Sequence, residues 1–232
     1  MYTLHTFSSK NELDVTLASA ITKQLDEAIA LRGKASLAVS GGKTPIHLFK
    51  QLSQSVIDWS KVTVTLVDDR WVDENDEASN THLVKTYLLQ NSAKAAHFVS
   101  LKTHSNTPFD AENDVEKLVQ RRLSLPIDVL ILGMGDDGHT ASLFPYAAHL
   151  ANGLDMHSDR LFIGIKPLEA PHERISMTLP LILSSRHLYL HIVGASKRQT
   201  LEKALQDDDI HAMPIRAVLL QQKTPVEIYW AE

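Results

Sequence analysis

Residues 133–139 read Gly-Met-Gly-Asp-Asp-Gly-His, so a carboxylate, Asp137, stands two positions before a histidine, His139. Histidine exchanges a proton near neutral pH, and a neighbouring carboxylate can orient its ring. Asp137 and His139 are therefore candidates for base chemistry, although the chain has 12 histidines and most must serve structure. Three other clusters carry comparable groups. Ser40, Gly41 and Gly42, in SGGKTP, form a glycine turn whose N–H groups can hold an anion at a helix start, with Pro45 suited to the first turn of that helix. Asp68-Asp69-Arg70 offers Arg70 to an anion or a developing oxyanion. In Gly194-Ala195-Ser196-Lys197, Lys197 sits at a helix start, where a cation opposes the helix dipole and so points to a negative ligand. Arg174, in PHERISMTLP, is a further candidate cation.

Two of these clusters imitate nucleotide motifs. Gly42-Lys43-Thr44 looks like the end of a P-loop, but that motif wants a glycine five residues before Gly42, and Leu37 stands there. The loop is too short to wrap a triphosphate and long enough for one phosphate. Lys43 is then a solvent-facing residue at the helix start. Gly133 to Gly138 matches G-x-G-x-x-G, yet a dinucleotide site wants an acid about 20 residues on at the end of the next strand, and that strand ends at Ile165-Lys166. Asp136 and Asp137 would also repel a pyrophosphate. No Gly-x-Ser-x-Gly elbow and no His-Glu-x-x-His occurs. His187 and His191 are four apart on a strand, which gives no helical metal face, so no metal site is expected.

The elements that position these groups follow from periodicity. Leu13, Leu17, Ile21, Leu25 and Ile29 repeat every four residues, which predicts a helix over 9–31, capped by Ser8 or Ser9 and followed by Gly33. Strands are predicted at Ala35–Val39, Val62–Val67, Ile127–Leu132, Leu161–Ile165 and His187–Val193, with short ones at Ala217–Leu220 and Val226–Trp230. Helices are predicted over Ile46–Leu52, Asn80–Leu89, Ala111–Leu123 and about Ser196–Leu205, with long loops at 103–110 and 145–159. Strand and helix alternate, which predicts an α/β fold: one doubly wound domain over 1–232, a mostly parallel sheet with helices on both faces, in a modified Rossmann-like arrangement. The four clusters each follow a strand, so a parallel sheet brings them to one edge, where open α/β sheets bind ligands.

Composition narrows the function. Hydrophobic residues make up 44% and charged residues 22%, as in ordinary globular proteins. There is no cysteine, which excludes thiol nucleophiles and Cys-zinc sites. A net charge of −5 disfavours broad nucleic-acid binding. No apolar run approaches a membrane span, and the N-terminus lacks a leader pattern, so a cytoplasmic protein acting without membrane or nucleic acid is expected. From the residues alone, the expectation is a hydrolase, isomerase or binding protein for a small phosphorylated anion, with a histidine base and no redox cofactor.

The segments AVSGGKTP, VDDRWVDENDEASN, LGMGDDGHTASLFP, PHERISMTLP and VGASK, in this order over Ala38–Lys197, resemble the 6-phosphogluconolactonases, which share a superfamily with the glucosamine-6-phosphate deaminase/isomerases. The tail Ala141-Ser142-Leu143-Phe144-Pro145 and the presence of Arg70 look like the lactonase branch. The lactonases usually read Asp-Glu-Arg where this chain has Asp68-Asp69-Arg70. The resemblance implies hydrolysis of 6-phosphoglucono-1,5-lactone to 6-phosphogluconate in the oxidative pentose phosphate pathway, by a monomer needing neither metal nor cofactor. It implies His139 as the base, Asp137 as its partner, Arg70 on developing charge, and Ser40, Gly41, Gly42, Arg174 and Lys197 on the phosphate. In the deaminase alternative, Asp68 is the proton-shuttling base. A non-catalytic sugar-phosphate-binding regulator is the other alternative.

Overall fold

The computed structural model describes residues 1–232. In chain order the strands are β1 (Tyr2–Phe7), β2 (Ala35–Val39), β3 (Val62–Leu66), β4 (Asp68–Arg70), β5 (His97–Val99), β6 (Val129–Leu132), β7 (Phe162–Ile165), β8 (Arg174–Met177), β9 (His187–Val193) and β10 (Val226–Ala231). The helices are α1 (Lys10–Arg32), α2 (Ile46–Ser53), α3 (Asn80–Tyr87), α4 (Pro108–Arg122), α5 (Leu150–Leu154), α6 (Leu179–Leu183), α7 (Ala195–Ala204) and α8 (Ile215–Leu219).

Seven strands form one parallel sheet in the order β1-β10-β9-β6-β2-β3-β5. The chain begins at one edge in β1, crosses to β2 and runs outward through β3 to β5, then returns to the other side of β2 and runs outward through β6, β9 and β10, the last pairing with β1. The order therefore reverses between β2 and β6, and a crevice opens beyond the carboxyl ends of those two strands. The loops that follow them are SGGKTP and GMGDDGH.

Local chemistry sets the elements. Ser9 caps α1, its Oγ accepting from Glu12 N at 3.2 Å, while Glu12 reaches back to the Ser8 amide at 3.0 Å. Gly33, at φ 74°, ends the helix and donates to Ile29 O. The central strands read as unbroken apolar runs because both their faces are covered; every residue of β2 and β6 is buried. Each buried Leu or Val side chain there contributes about 1.5–3 kcal/mol.

Several sequence expectations need correction. Ala217–Leu220 is not a strand: it falls in α8, whose start is set by Pro214 and which is held by buried Arg216 donating to the carbonyls of Lys203, Ala204 and Asp209. A short apolar run does not separate strand from buried helix. Asp68–Arg70 is not a loop, and β7 does not join the parallel sheet. Both belong to a second, antiparallel sheet ordered β4-β8-β7. The loop expected at 145–159 contains α5, and α4 begins at Pro108 with Thr107 as its cap. β1 was unforeseen: it is an edge strand, half exposed, paired only with β10.

Candidate active site

Ser40 stitches the two loops of the crevice. Its N–H donates to Ile131 O at 3.1 Å, its Oγ donates to the same oxygen at 3.0 Å, and the Gly133 N–H donates to Oγ at 3.2 Å. Both polar groups of Ser40 are thus occupied by protein. The next four N–H groups, of Gly41, Gly42, Lys43 and Thr44, have no acceptor within the protein. They precede α2, where unpaired N–H groups and the helix dipole favour an anion. A Cβ at Gly41 would lie 1.8 Å from Asn80 Oδ1, so any other residue there must displace the Asn80 side chain. Lys43 is exposed and outside the pocket, as expected.

The loop after β6 holds His139. The Asp137 carboxylate accepts from His139 Nδ1 at 2.6 Å and from the His139 amide at 3.0 Å. This contact puts the proton on Nδ1 and leaves Nε2, which has no protein partner, with its lone pair free. Phe144 stacks on the imidazole at 4.1 Å between ring centres. Gly135 packs close by, where a Cβ would come within 2.1 Å of His139 Nδ1 and 2.4 Å of Asp137 Oδ1. The ring is therefore fixed in plane and tautomer. Burial raises the Asp137 carboxyl, but the bond and charge of His139 outweigh it and hold Asp137 below its ordinary range.

The antiparallel sheet supplies the arginines. Arg70 and Arg174 are direct cross-strand partners on β4 and β8. Like charges placed so are unfavourable without an anion between or beside them. Arg70 Nη1 donates to Ala78 O at 2.6 Å, and Arg174 Nη2 to Pro171 O at 3.2 Å. The Nε of each is buried and unpaired. The Arg174 guanidinium lies 5.0 Å over the Phe144 ring. Burial first, then the Arg70 charge, depresses its pKa. Asp68 lies between these groups and the β6 loop; its Oδ2 accepts from Ser142 Oγ at 2.5 Å.

Asp69 does not face the pocket. It is a buried anchor that accepts from five donors: the amides of Arg70, Asn80 and Thr81 and the hydroxyls of Ser79 and Thr81. Burial pushes its carboxyl up, against the pull of the Asn80 and Thr81 amides. It ties the start of α3 to β4, and so places Asn80, whose Nδ2 donates to Asp68 O at 2.8 Å. Lys197 is paired with Asp136 at 2.8 Å, and Asp136, held also by Ser196, lies below its ordinary pKa, first because of Lys197.

These groups enclose a pocket of ≈ 200 Å³. Ser40, Gly41, Gly42, Asp68, Arg70, His139, Arg174 and Lys197 all line it, and Asp137 stands behind His139. Sequence reasoning missed Asn80, Ser142, Asp136 and His191. Only Asn80 carried a signal, following Ser79 at a predicted helix start; the other three depend on which strands neighbour one another. No group of three or more His, Asp or Glu side chains is arranged to hold a metal, and no helix is long and apolar enough to cross a membrane.

A carboxylate-held histidine, a buried arginine beside a half-buried one and a row of free amides around one small pocket suit proton transfer on a phosphorylated substrate. Comparison with known proteins agrees. The family model for glucosamine-6-phosphate isomerases/6-phosphogluconolactonase matches residues 8–230. The 6-phosphogluconolactonase of Mesorhizobium japonicum is 44% identical over 99% of this chain and 95% of its own, and that of Pseudomonas putida 41% over 98% and 92%. A crystal structure of a 6-phosphogluconolactonase from Shewanella baltica superposes with a TM-score of 0.97 at 46% identity, covering 100% of this chain and 98% of that one. The chain belongs to the family of glucosamine-6-phosphate isomerases and 6-phosphogluconolactonases.

Proposed function

We propose that this pocket hydrolyses 6-phosphoglucono-1,5-lactone to 6-phosphogluconate, the lactone-opening step of the oxidative pentose phosphate pathway. The observation that carries this is the Asp137–His139 pair with Nε2 free, in the same pocket as the amides of Gly41 and Gly42 and two arginines whose Nε groups are unpaired. The phosphate binds to those amides with Arg174 and Lys197, the latter leaving Asp136. Anchored remotely, the lactone carbonyl is held near His139. His139 Nε2 takes a proton from a water as its oxygen bonds to C1. Arg70 faces the oxyanion that forms. Collapse breaks the bond from C1 to the ring oxygen, and His139 returns its proton to that oxygen. Asp137 keeps the ring in the accepting tautomer and balances the imidazolium. Asp68, bonded to Ser142, positions Arg70 and Arg174 by charge. The chemistry calls for neither metal nor organic cofactor. Residues 1–232 act as a single domain, as a cytoplasmic monomer.

The discriminating experiment offers two substrates to the purified protein. Acid release from fresh 6-phosphogluconolactone should exceed the spontaneous rate, with no ammonia from glucosamine 6-phosphate. Ammonia release without lactone hydrolysis would assign the deaminase reaction and make Asp68 the base.

A further inference from the structure

His191, on β9, is 3% exposed and lines the pocket beside Ser40, Thr44 and Pro45, yet the steps above do not use it. Its Nε2 lies 2.9 Å from Oδ1 of Asp14, a wholly buried residue of α1. The contact is close but off line, so by angle neither atom has a hydrogen-bond partner. What joins them in the free protein is the pull of the carboxylate on the Nε2–H dipole rather than a straight bond. Nδ1 has no protein partner either and, unlike Nε2, is not sealed off.

Asp14 is also tied to the phosphate loop. Its Oδ2 accepts from Lys10 Nζ at 2.7 Å and contacts His47 Nδ1 at 2.9 Å, and Lys10 donates in turn to Thr44 O at 3.0 Å. Burial would raise the Asp14 carboxyl, but His191 and Lys10 more than offset it, so Asp14 stays a carboxylate at neutral pH. On the neighbouring strand, Tyr229 is the partner of His191 and is neutral, its pKa raised by burial. The pocket side carries Arg70, Arg174 and Lys197 as cations, with Asp68 and His139. In the empty pocket those three cations oppose a fourth charge on His191. A phosphate dianion removes the opposition and leaves the imidazole between two anions.

We propose that His191 is a phosphate-binding group of this site, donating Nδ1–H to the substrate phosphate, and that binding draws a solvent proton onto its ring with Asp14 as the counter-ion behind. This rests on the lactonase reading for the identity of the ligand. The proton balance is simple: the free imidazole holds its proton on Nε2 toward Asp14, and one proton is added at Nδ1. Above the phosphate's second pKa of about 6, affinity therefore falls as pH rises.

Calorimetric titration with 6-phosphogluconate at about pH 8, in buffers of different ionisation heat, reads the proton directly. The phosphate is already a dianion there, its second pKa being about 6, so any uptake is the protein's. The parent protein should take up a substantial fraction of a proton per site, and His191→Gln should take up less. In His191→Gln, KM for the phosphorylated lactone should rise about tenfold, the worth of one charge-assisted hydrogen bond, with kcat within about twofold. Parental KM and parental proton uptake in His191→Gln would overturn the proposal. If removing the imidazole leaves Asp14 too costly to bury and the variant does not fold, Asp14→Asn/His191→Gln answers the same question. A parent that binds 6-phosphogluconate with His191-dependent uptake but does not open the lactone would sink the functional reading and leave this inference standing.

Discussion

A histidine serves as a base only when the nitrogen facing the substrate is the one without the proton. Asp137 secures that by holding Nδ1, and Phe144 and Gly135 secure the ring plane. His139→Ala should therefore lower kcat by about 10²–10⁴-fold while 6-phosphogluconate still binds, as calorimetry would check. Gly135→Ala is the sharper test of geometry. Its new methyl group must displace the Asp137–His139 pair, so kcat should fall about 10²-fold with KM little changed. A Gly135→Ala enzyme with parental kcat would show that the ring's placement is not critical. The residue types and the Asp137–His139 pairing were legible in the sequence because the two are near neighbours in the chain. The anion-holding amides of the Ser40-Gly41-Gly42 turn were legible as a glycine turn before a helix, but the engaged hydroxyl of Ser40 was not, since it depends on β2 lying beside β6.

At the scale of elements, the small antiparallel sheet governs the arginines. Its strand β4 comes from a part of the chain distant from β7 and β8, and the short runs Asp68–Arg70 and Arg174–Met177 carry little periodic signal. The sequence reading therefore found both arginines without finding the ladder that sets them opposite each other. The role of Asp69 was likewise invisible, because all its partners but the Arg70 amide lie ten to twelve residues on and meet it only through the fold of the intervening loop. Asp69→Ala should lose about 3 kcal/mol or more in urea unfolding, since it leaves buried donors unpaired. It should also lower kcat/KM through the shift of Asn80 and Arg70. Arg174→Ala and Lys197→Ala should chiefly raise KM, because phosphate binding acts alike on ground and transition states. The central parallel strands and the long helices α1 and α4 were read correctly from apolar runs and spacing, with ends adjusted by capping residues.

Over the whole molecule, the reversal of strand order between β2 and β6 gathers groups 40 to 197 residues along the chain into one pocket. A protein of net charge −5 thereby presents a cationic site to an anionic substrate. Alternation of strand and helix announced the parallel sheet, but not its order, which no local pattern encodes. Asp14 links that site to stability. Its folded pKa lies below the unfolded value of about 3.9, so its contribution is present above that pH and is lost as pH falls through the folded value. Asp14→Asn should be less stable than the parent at pH 7, and the difference in urea midpoint should shrink toward pH 3. The central claim is that His139 makes this pocket a lactonase. Its most direct measurement is proton release from freshly prepared 6-phosphogluconolactone, followed side by side for the parent and His139→Ala. The account predicts release far above the spontaneous rate for the parent and close to it for the variant; equal rates for the two proteins would contradict it.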